Sequence, residues 1–506
     1  MHIKTTLLAL GFASVAMAQN PGDNIFNTNQ VLTIDLQFSQ PGFWDSLVAN
    51  YATETYMMAD LTVTDNTGTY TFDSVGVRLK GNSSYGHPGN KKSFKIDFNR
   101  YVAGQEYDGL RKLNFNNSFK DPSFMREKIY YDICKADSIH APRANYADVY
   151  MNDELWGFYS VVEQVDDEFL KTHFDENNEN LFKAGDAFGG GPGGSVEGDL
   201  KYYGTVQDDY YDRYTLENNT DENDWTDLIN LTDFINNSSD ADFAGQLSHH
   251  FDVEQLMKCM VMYNMFSNLD SYLNSARNYY IYDYDSTGIW EWINWDCNES
   301  FGLYTGGPGT GDLQELDIYY YNLNRPLFER VLTIEDTKTQ YETYYCELFN
   351  AYFNNSYISD LIDELYTLIQ PHVYADPNKM YTNDQFETNI ESDIAGGMGG
   401  TTYGLKSFVT NRSAYIASAL DCSTQTDIST NTAFDVHIFP NPTSDMIYIN
   451  GDFTSPCKLA VYGLDGRVLY QLDQVQLPTS ISLANQPSGM YLVVVGEQQT
   501  IITKQQ

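Results

Sequence analysis

The sequence predicts an α+β domain followed by a small all-β, immunoglobulin-like sandwich. Three observations carry this reading. Between Gln30 and Asp421, alternating strand-like segments are interleaved with segments of helical periodicity. After Cys422 the composition changes sharply: Ser423 to Ala433 is a polar run of Ser, Thr, Asn and Asp with almost nothing to bury, which reads as a linker over 422–433. Residues 434–506 then carry about seven short alternating segments, separated by turn signals such as Asp465-Gly466 and Pro487-Ser488-Gly489. A chain of 506 residues, 42% hydrophobic and 15% aromatic, can bury one large core and a small second one.

The N-terminus reads as a signal peptide over residues 1–18. Lys4 precedes an apolar stretch from Leu7 to Val15, and Ala16-Met17-Ala18 supplies the small residues expected before cleavage at Gln19. The alternative, a membrane anchor, is disfavoured because the run is far shorter than the roughly 20 residues a bilayer span needs. No later stretch is long and apolar enough either, so no transmembrane segment is expected. The net charge of −41 argues against nucleic acid or anionic lipid as a partner, since both need cationic patches. It suits solubility and divalent cations, and most of the 70 acids read as solvated surface. The six cysteines lie far apart without a Cys-x-x-Cys pair, which argues against thiolate zinc. An exported chain permits disulfides, whose connectivity the sequence leaves open.

Within residues 30–421 the order of elements carries the chemistry. Val75 to Lys80 alternates Val77 and Leu79 with Arg78 and Lys80, then breaks into the polar loop Gly81-Asn82-Ser83-Ser84. The next strand, Lys91 to Phe98, sets Phe94, Ile96 and Phe98 against Ser93, Lys95 and Asp97. Scarce cations beside a Gly/Ser loop suggest an anionic ligand; a solvated sheet face is the simpler alternative. A strand at Lys112 to Asn116 leads to Asp121-Pro122, the expected start of a helix through about Lys135, with Met125, Ile129 and Ile133 as its buried stripe. Strands at Ala147 to Met151 and Gly157 to Glu163 follow. This is the order of a kinase N-lobe. Further on, a helix capped by Asp252 ends at Asn268-Leu269-Asp270, followed by Asn278, a hairpin and Asp296. A helix, an Asp, an Asn, a hairpin and a second Asp is the layout a kinase uses for its base and metal ligands. Alternatively, Asp and Asn in loops are turn formers.

Several segments resemble one family. Arg78-Leu-Lys-Gly-Asn-Ser-Ser84, Lys91-Lys-Ser-Phe-Lys-Ile-Asp-Phe98, Asp121-Pro-Ser-Phe-Met-Arg-Glu-Lys128, Gly157-Phe-Tyr-Ser-Val-Val-Glu163 and Asn294-Trp-Asp-Cys-Asn-Glu-Ser-Phe-Gly302 are similar to the CotH kinase family, as are Gly404-Leu-Lys-Ser-Phe408 and Arg412. The resemblance implies an atypical, two-lobed protein-kinase-like fold and phosphorylation of protein Ser or Thr. It implies ATP, with Mg²⁺ or alternatively Mn²⁺ or Ca²⁺. Asp270 falls on the catalytic Asp and Asp296 on the metal-binding Asp, with Asn278 and Asn298 as further metal ligands. Lys80, Ser83, Ser84 and Lys95 fall in the phosphate-contacting region; Arg126, Glu127 and Glu163 complete the implied nucleotide site. Two departures stand out: Asn298 replaces the second Asp of the family's Trp-Asp-x-Asp motif, and Asp270 and Asn278 are further apart than the usual kinase pair. A catalytically silent surface protein that binds a cation, glycan or partner protein is the competing expectation.

The tail carries Phe-Pro-Asn-Pro-Thr-Ser-Asp (439 to 445), Val-Tyr-Gly-Leu-Asp-Gly-Arg (461 to 467) and Ser-Gly-Met-Tyr-Leu-Val (488 to 493), and closes near a Lys. It resembles the type A C-terminal sorting domain of the type IX secretion system of Bacteroidetes-type bacteria. The resemblance implies a chain that is secreted or attached to the outer surface of a Gram-negative cell. Its expected partners are the secretion machinery and an exported protein substrate. An ordinary carbohydrate-binding or fibronectin-like sandwich is the alternative for this module.

Overall fold

The computed structural model describes residues 20–185, 197–284, 288–306, 311–396 and 400–423, and most of 437–504. The expected signal peptide, the glycine-rich stretch 189–194 and nearly all of the expected linker lie outside the described residues. The chain divides into two compact units, Met1–Asp421 and Cys422–Gln506.

The first unit begins with a closed barrel. Its strands are β1 (Val31–Gln37), β2 (Met57–Thr64), β3 (Thr69–Leu79), β4 (Phe94–Asp97), β5 (Lys112–Asn116), β6 (Ala144–Met151) and β7 (Glu154–Glu163), in the order β1-β2-β3-β4-β5-β7-β6. Neighbours along this order pair antiparallel, and a parallel pairing of β1 with β6 closes the ring. Closure leaves no exposed sheet edge. Val77, Leu79, Phe94, Ile96, Leu113, Phe115 and Val161 are buried in one core. Because strand side chains alternate, Arg78, Lys80, Lys95 and Asn114 fall on the opposite face, with Arg78 paired to Lys95 and Lys95 to Asn114.

A second, four-stranded sheet contains β8 (Leu181–Ala184), β9 (Tyr214–Leu216), β10 (Tyr279–Tyr284) and β11 (Ile289–Asn294), in the order β11-β10-β8-β9. It shares a large core with the surrounding helices. Helix Val253–Met265 is buried all round from Leu256 to Met265, so the single apolar face formed by Leu256, Cys259, Met260 and Tyr263 is only part of its contact surface.

The helix expected from Asp121 starts later, at Arg126. Phe124 has φ 61°, a left-handed conformation that no helix can continue through. Asp121 instead organises the turn before it: one carboxylate oxygen accepts from Ser123 N at 2.9 Å and the other from Arg126 N at 3.0 Å. Met125, Ile129 and Ile133 are buried, as the four-residue spacing requires.

The long helix Asn355–Ala375 clamps the barrel. The Lys91 ammonium, at the mouth of β4, donates to the Asp376 carboxylate just past the helix end, and neither side chain is more than 1% exposed. Asp376 also accepts from Phe158 N at 3.1 Å, and His372 meets Asp148 at 2.7 Å. The close approach needs Gly157, where an added Cβ would lie 3.0 Å from Asp376 Oδ1. Cys346 and Cys422 each take part in a disulfide, whereas Cys134, Cys259 and Cys297 are free and buried.

The second unit holds His437–Phe439, Met446–Asn450 and Thr479–Ser482 in one sheet, and Cys457–Gly463, Val468–Val475, Gly489–Val495 and Gln498–Lys504 in another. Ile447, Ile449 and Ile481 from the first meet Leu459, Val461, Val493 and Ile502 from the second in one core. Lys504 is buried, its ammonium donating to Ala484 O at 3.1 Å and to Gln486 O. Among the described residues no helix is long and apolar enough to cross a membrane.

Asp376→Ala is expected to destabilise the first unit by about 3–5 kcal/mol, because it strands a buried ammonium. Replacing both partners, Lys91→Met with Asp376→Leu, should recover most of that loss. Chemical denaturation of the three proteins checks the order.

Candidate functional site

The β10–β11 hairpin assembles one side of the site. Its register pairs Tyr279 with Asn294, so Asn278 and Asp296 emerge from the same end. Both residues take left-handed backbone, with φ 60° and 51°, a conformation that Asn and Asp tolerate better than most residues. The Asn278 amide nitrogen donates to the main-chain oxygen of Asp270 at 2.8 Å and to its carboxylate at 3.1 Å. Hence Asp270, Asn278 and Asp296 converge, despite the eight-residue gap between Asp270 and Asn278. The Arg277 guanidinium lies 4.0 Å from the Asp270 carboxylate. Asn298 sits two residues beyond Asp296 in the short turn Cys297–Glu299 and is partly exposed.

The barrel supplies the other side. Lys80, just after β3, donates to Asn114 Oδ1 at 3.0 Å, and its ammonium lies 5.7 Å from the centre of the Trp295 ring. Glu127, on the first turn of helix Arg126–Ala136, accepts from Asn116 Nδ2 at 3.0 Å through both oxygens. Asn114 and Asn116 are alternate residues of β5 and share a face, so one strand holds the lysine and the glutamate side by side without a direct ion pair between them. Their charges still interact. Burial, opposed by Asp296 and Glu127, brings Lys80 down to about 8; burial and Asp296 raise Glu127 to about 8 against the pull of Asn116 and Lys80.

Two residues outside the sequence reading complete the cluster. Lys120, in the turn after β5, reaches both oxygens of Glu299 at 2.9 Å. Burial and the Asp270 charge raise Glu299 to about 7, with Lys120 pulling the other way. Glu299 stands in the segment Asn294 to Gly302, so proximity to Asp296 was its only signal in the sequence.

Arg126 and Glu163, also expected at the nucleotide, are engaged by other residues. Arg126 is fully buried and ties its helix to the chain's later segments, donating to Asn389 Oδ1 at 3.0 Å and Tyr403 O at 2.6 Å as well as to Asp121. Glu163 is buried against Arg143, whose Nε donates to it at 3.0 Å, and His173 lies 3.6 Å away. The alternation of β7 turns Glu163 away from its neighbour Gln164, whose amide oxygen accepts from Asn114 at 3.1 Å. Ser83 and Ser84 lie in the loop after Lys80, Ser83 exposed and Ser84 partly so. Lys95, on β4, shares a sheet face with Arg78 and Asn114.

A family model described as CotH kinase protein matches residues 77–416. The chain belongs to the CotH kinase protein family. Inner spore coat protein H of Bacillus subtilis (strain 168) is 25% identical over 326 residues, which cover 64% of this chain and 82% of that protein. Two proteins of Rhizopus delemar, Invasin CotH3 and Invasin CotH2, are each 22% identical, over 370 and 380 residues. Those matches cover 68% and 69% of this chain but only 60% and 62% of the invasins. A second model, described as secretion system C-terminal sorting domain, matches residues 437–506. A CotH domain followed by this tail is a secreted or cell-surface protein, and the tail implies handling by the type IX machinery of a Gram-negative cell.

The Arg143–Glu163 pair gives a pH prediction. Burial alone would raise Glu163, but His173, 3.6 Å away, together with the charge and hydrogen bonds of Arg143, outweighs it and brings the carboxyl to about 2. A folded value below the unfolded one adds stability above the unfolded range, near 4.3, and loses it as pH falls toward 2. Glu163→Gln should therefore cost roughly 3 kcal/mol at neutral pH. Thermal melts across the acid range should show the gap to wild type closing between about pH 5 and pH 2.

Proposed function

We propose that the CotH domain transfers the γ-phosphoryl group of a nucleoside triphosphate to a Ser or Thr hydroxyl of an exported protein. The convergence of Asp270, Asn278 and Asp296 opposite Lys80 and Glu127 is the observation that carries this reading. Phosphoryl transfer asks for hard oxygen donors, cations for the phosphates and a carboxylate beside the attacking hydroxyl.

The donor set fits a magnesium ion that arrives with its nucleotide. Asp296 offers a carboxylate, and Asn298 an amide oxygen. Asn278 spends its amide nitrogen on Asp270, which leaves its oxygen for a cation. Among the described residues no group of three or more His, Cys, Asp or Glu side chains could hold a metal ion alone. That suits magnesium, which takes one or two carboxylates and completes its shell from phosphates and water. The bound ion supplies charge neutralisation at the phosphates.

The chain's own residues do the rest. Lys80 neutralises phosphate oxygens and is itself fixed by Asn114. Glu127 sets the field around Lys80. Asp270, oriented by Asn278 and Arg277, accepts the proton of the attacking hydroxyl as the phosphate bond forms. Lys120 holds Glu299 so that the turn carrying Asp296 keeps its place.

One observation favours a second reading. The family's second motif Asp is Asn298 here, which removes a charge from the metal position and suits a nucleotide-binding protein without transfer.

The test uses the whole chain with labelled ATP and Mg²⁺ or Mn²⁺, beside Asp270→Asn and Asp296→Asn. Incorporation of label into the chain or an added acceptor is expected, with each variant at least ~100-fold slower. Equal incorporation by all three, or none by any, would sink the catalytic assignment. Nucleotide binding without transfer would leave the second reading.

A further inference from the structure

Two lysines beside Lys80 have side chains without a partner among the described residues. The side chains of Lys95 and Lys183 make no hydrogen bond or ion pair among the described residues. Their neighbours are spoken for: Arg78 meets Glu54 at 3.1 Å, and Lys112 meets Asp166 at 3.6 Å. In a chain with only 29 Lys and Arg against 70 acids, unmatched cations gathered in one place are not a default surface.

They approach Lys80 from opposite sheets. Lys95, on β4, stands opposite Arg78 of β3, two residues before Lys80 on the same face. Lys183 comes from β8, directly across from Tyr280 of β10. The Tyr280 ring meets Trp295 edge-on at 5.6 Å, and Trp295 in turn underlies the Lys80 ammonium. Barrel and second sheet thus each bring one uncommitted ammonium beside Lys80.

We propose that Lys95 and Lys183 form a two-sided anion subsite that takes the phosphate chain of the nucleoside triphosphate beside Lys80. The inference rests on the phosphoryl-transfer reading above and adds Lys183 to it, along with a job for Lys95 distinct from that of Lys80. Lys80 sits under the influence of Asp296 and Glu127, whereas the charges acting most strongly on Lys95 are all cationic: Lys80, Arg78, Lys112 and Lys183. A polyanion relieves that repulsion, and each ammonium gains a charge-assisted bond.

The subsite is pH-sensitive. Burial and the surrounding cations push the Lys95 ammonium down to about 7. Phosphate favours the protonated form, so binding takes up a proton and weakens as pH rises through the neutral range. The facing groups are Arg78 on β3 and Lys80 just after it, Lys112 from β5, Lys183 from β8 and Asp166, which caps helix Asp167–Phe174. Burial and Glu168 raise Asp166 to about 7, so its ionisation adds a negative charge over the same range and acts in the same direction.

Calorimetric titration of the full chain with ATP, inorganic tripolyphosphate and adenosine at about pH 6 and about pH 8 tests the subsite. Lys183→Met should weaken ATP and tripolyphosphate about tenfold at both pH values and leave adenosine alone. Lys95→Met should do the same at the lower pH. Lys95→Arg, charged throughout, should keep the affinity and flatten the pH dependence. ATP binding unchanged in both Met variants, an equal loss for adenosine, or a wild-type pH slope in Lys95→Arg would each overturn the proposal. If wild type binds ATP and both Met variants bind it as tightly, this subsite alone fails. Absence of ATP binding by wild type removes the phosphoryl-transfer reading as well.

Discussion

Lys80 is an ammonium drawn out of bulk water beside two carboxylates, Glu127 and Asp296, and the site is arranged around that imbalance. Charges out of bulk water act on one another far more strongly than in water, so two carboxyl groups beside one ammonium cannot both ionise at low cost. Glu127 answers by holding its proton to about 8. Glu299, beside Asp270, does the same to about 7 even with Lys120 against it. The carboxyl groups nearest the hairpin end are thus crowded enough to hold their protons into the neutral range. Lys95 and Lys183 supply the opposite half of the same argument, being cations in want of an anion.

Such a cluster has to be held rigidly, because each of its groups would relax toward water if it were free to move. The barrel does this on one side: Asn114 and Asn116, alternating along β5, fix Lys80 and Glu127 at neighbouring stations. On the other side Asn278 grips Asp270, while the hairpin register fixes Asn278 against Asp296. Lys120 bridges the two halves through Glu299. The buried Lys91–Asp376 pair and the Arg126 network bind the barrel and its helix to the helical region that follows.

Local pattern was legible in the sequence, and long-range pairing was not. The alternation of Phe94, Ile96 and Phe98 fixed which face of β4 is buried, and therefore where Lys95 points. The hairpin with short flanks was enough to bring Asn278 and Asp296 to one end. Closure of the barrel through parallel β1 and β6 joins segments more than 100 residues apart and leaves no local mark. Glu163 was expected at the nucleotide because its segment matches the family, but a partner 20 residues earlier, Arg143, takes its carboxylate. Arg126 was drawn toward the ligand by the same segment logic and instead binds Asn389 and Tyr403, far along the chain. Asp121 carried a genuine cap signal; the positive φ of Phe124, which no residue type announces, moved the helix start to Arg126. Lys183 had no signal at all, since its role depends on which strand lies beside β10.

The central claim is that metal and nucleotide complete each other at Asp296. Titrating the full chain with Mn²⁺, followed by electron paramagnetic resonance in the presence and absence of ATP, tests it most directly. The account predicts weak Mn²⁺ binding alone, a marked gain with ATP, and loss of that gain in Asp296→Ala. Mn²⁺ binding that is equally tight without nucleotide, or that ignores Asp296→Ala, would contradict it.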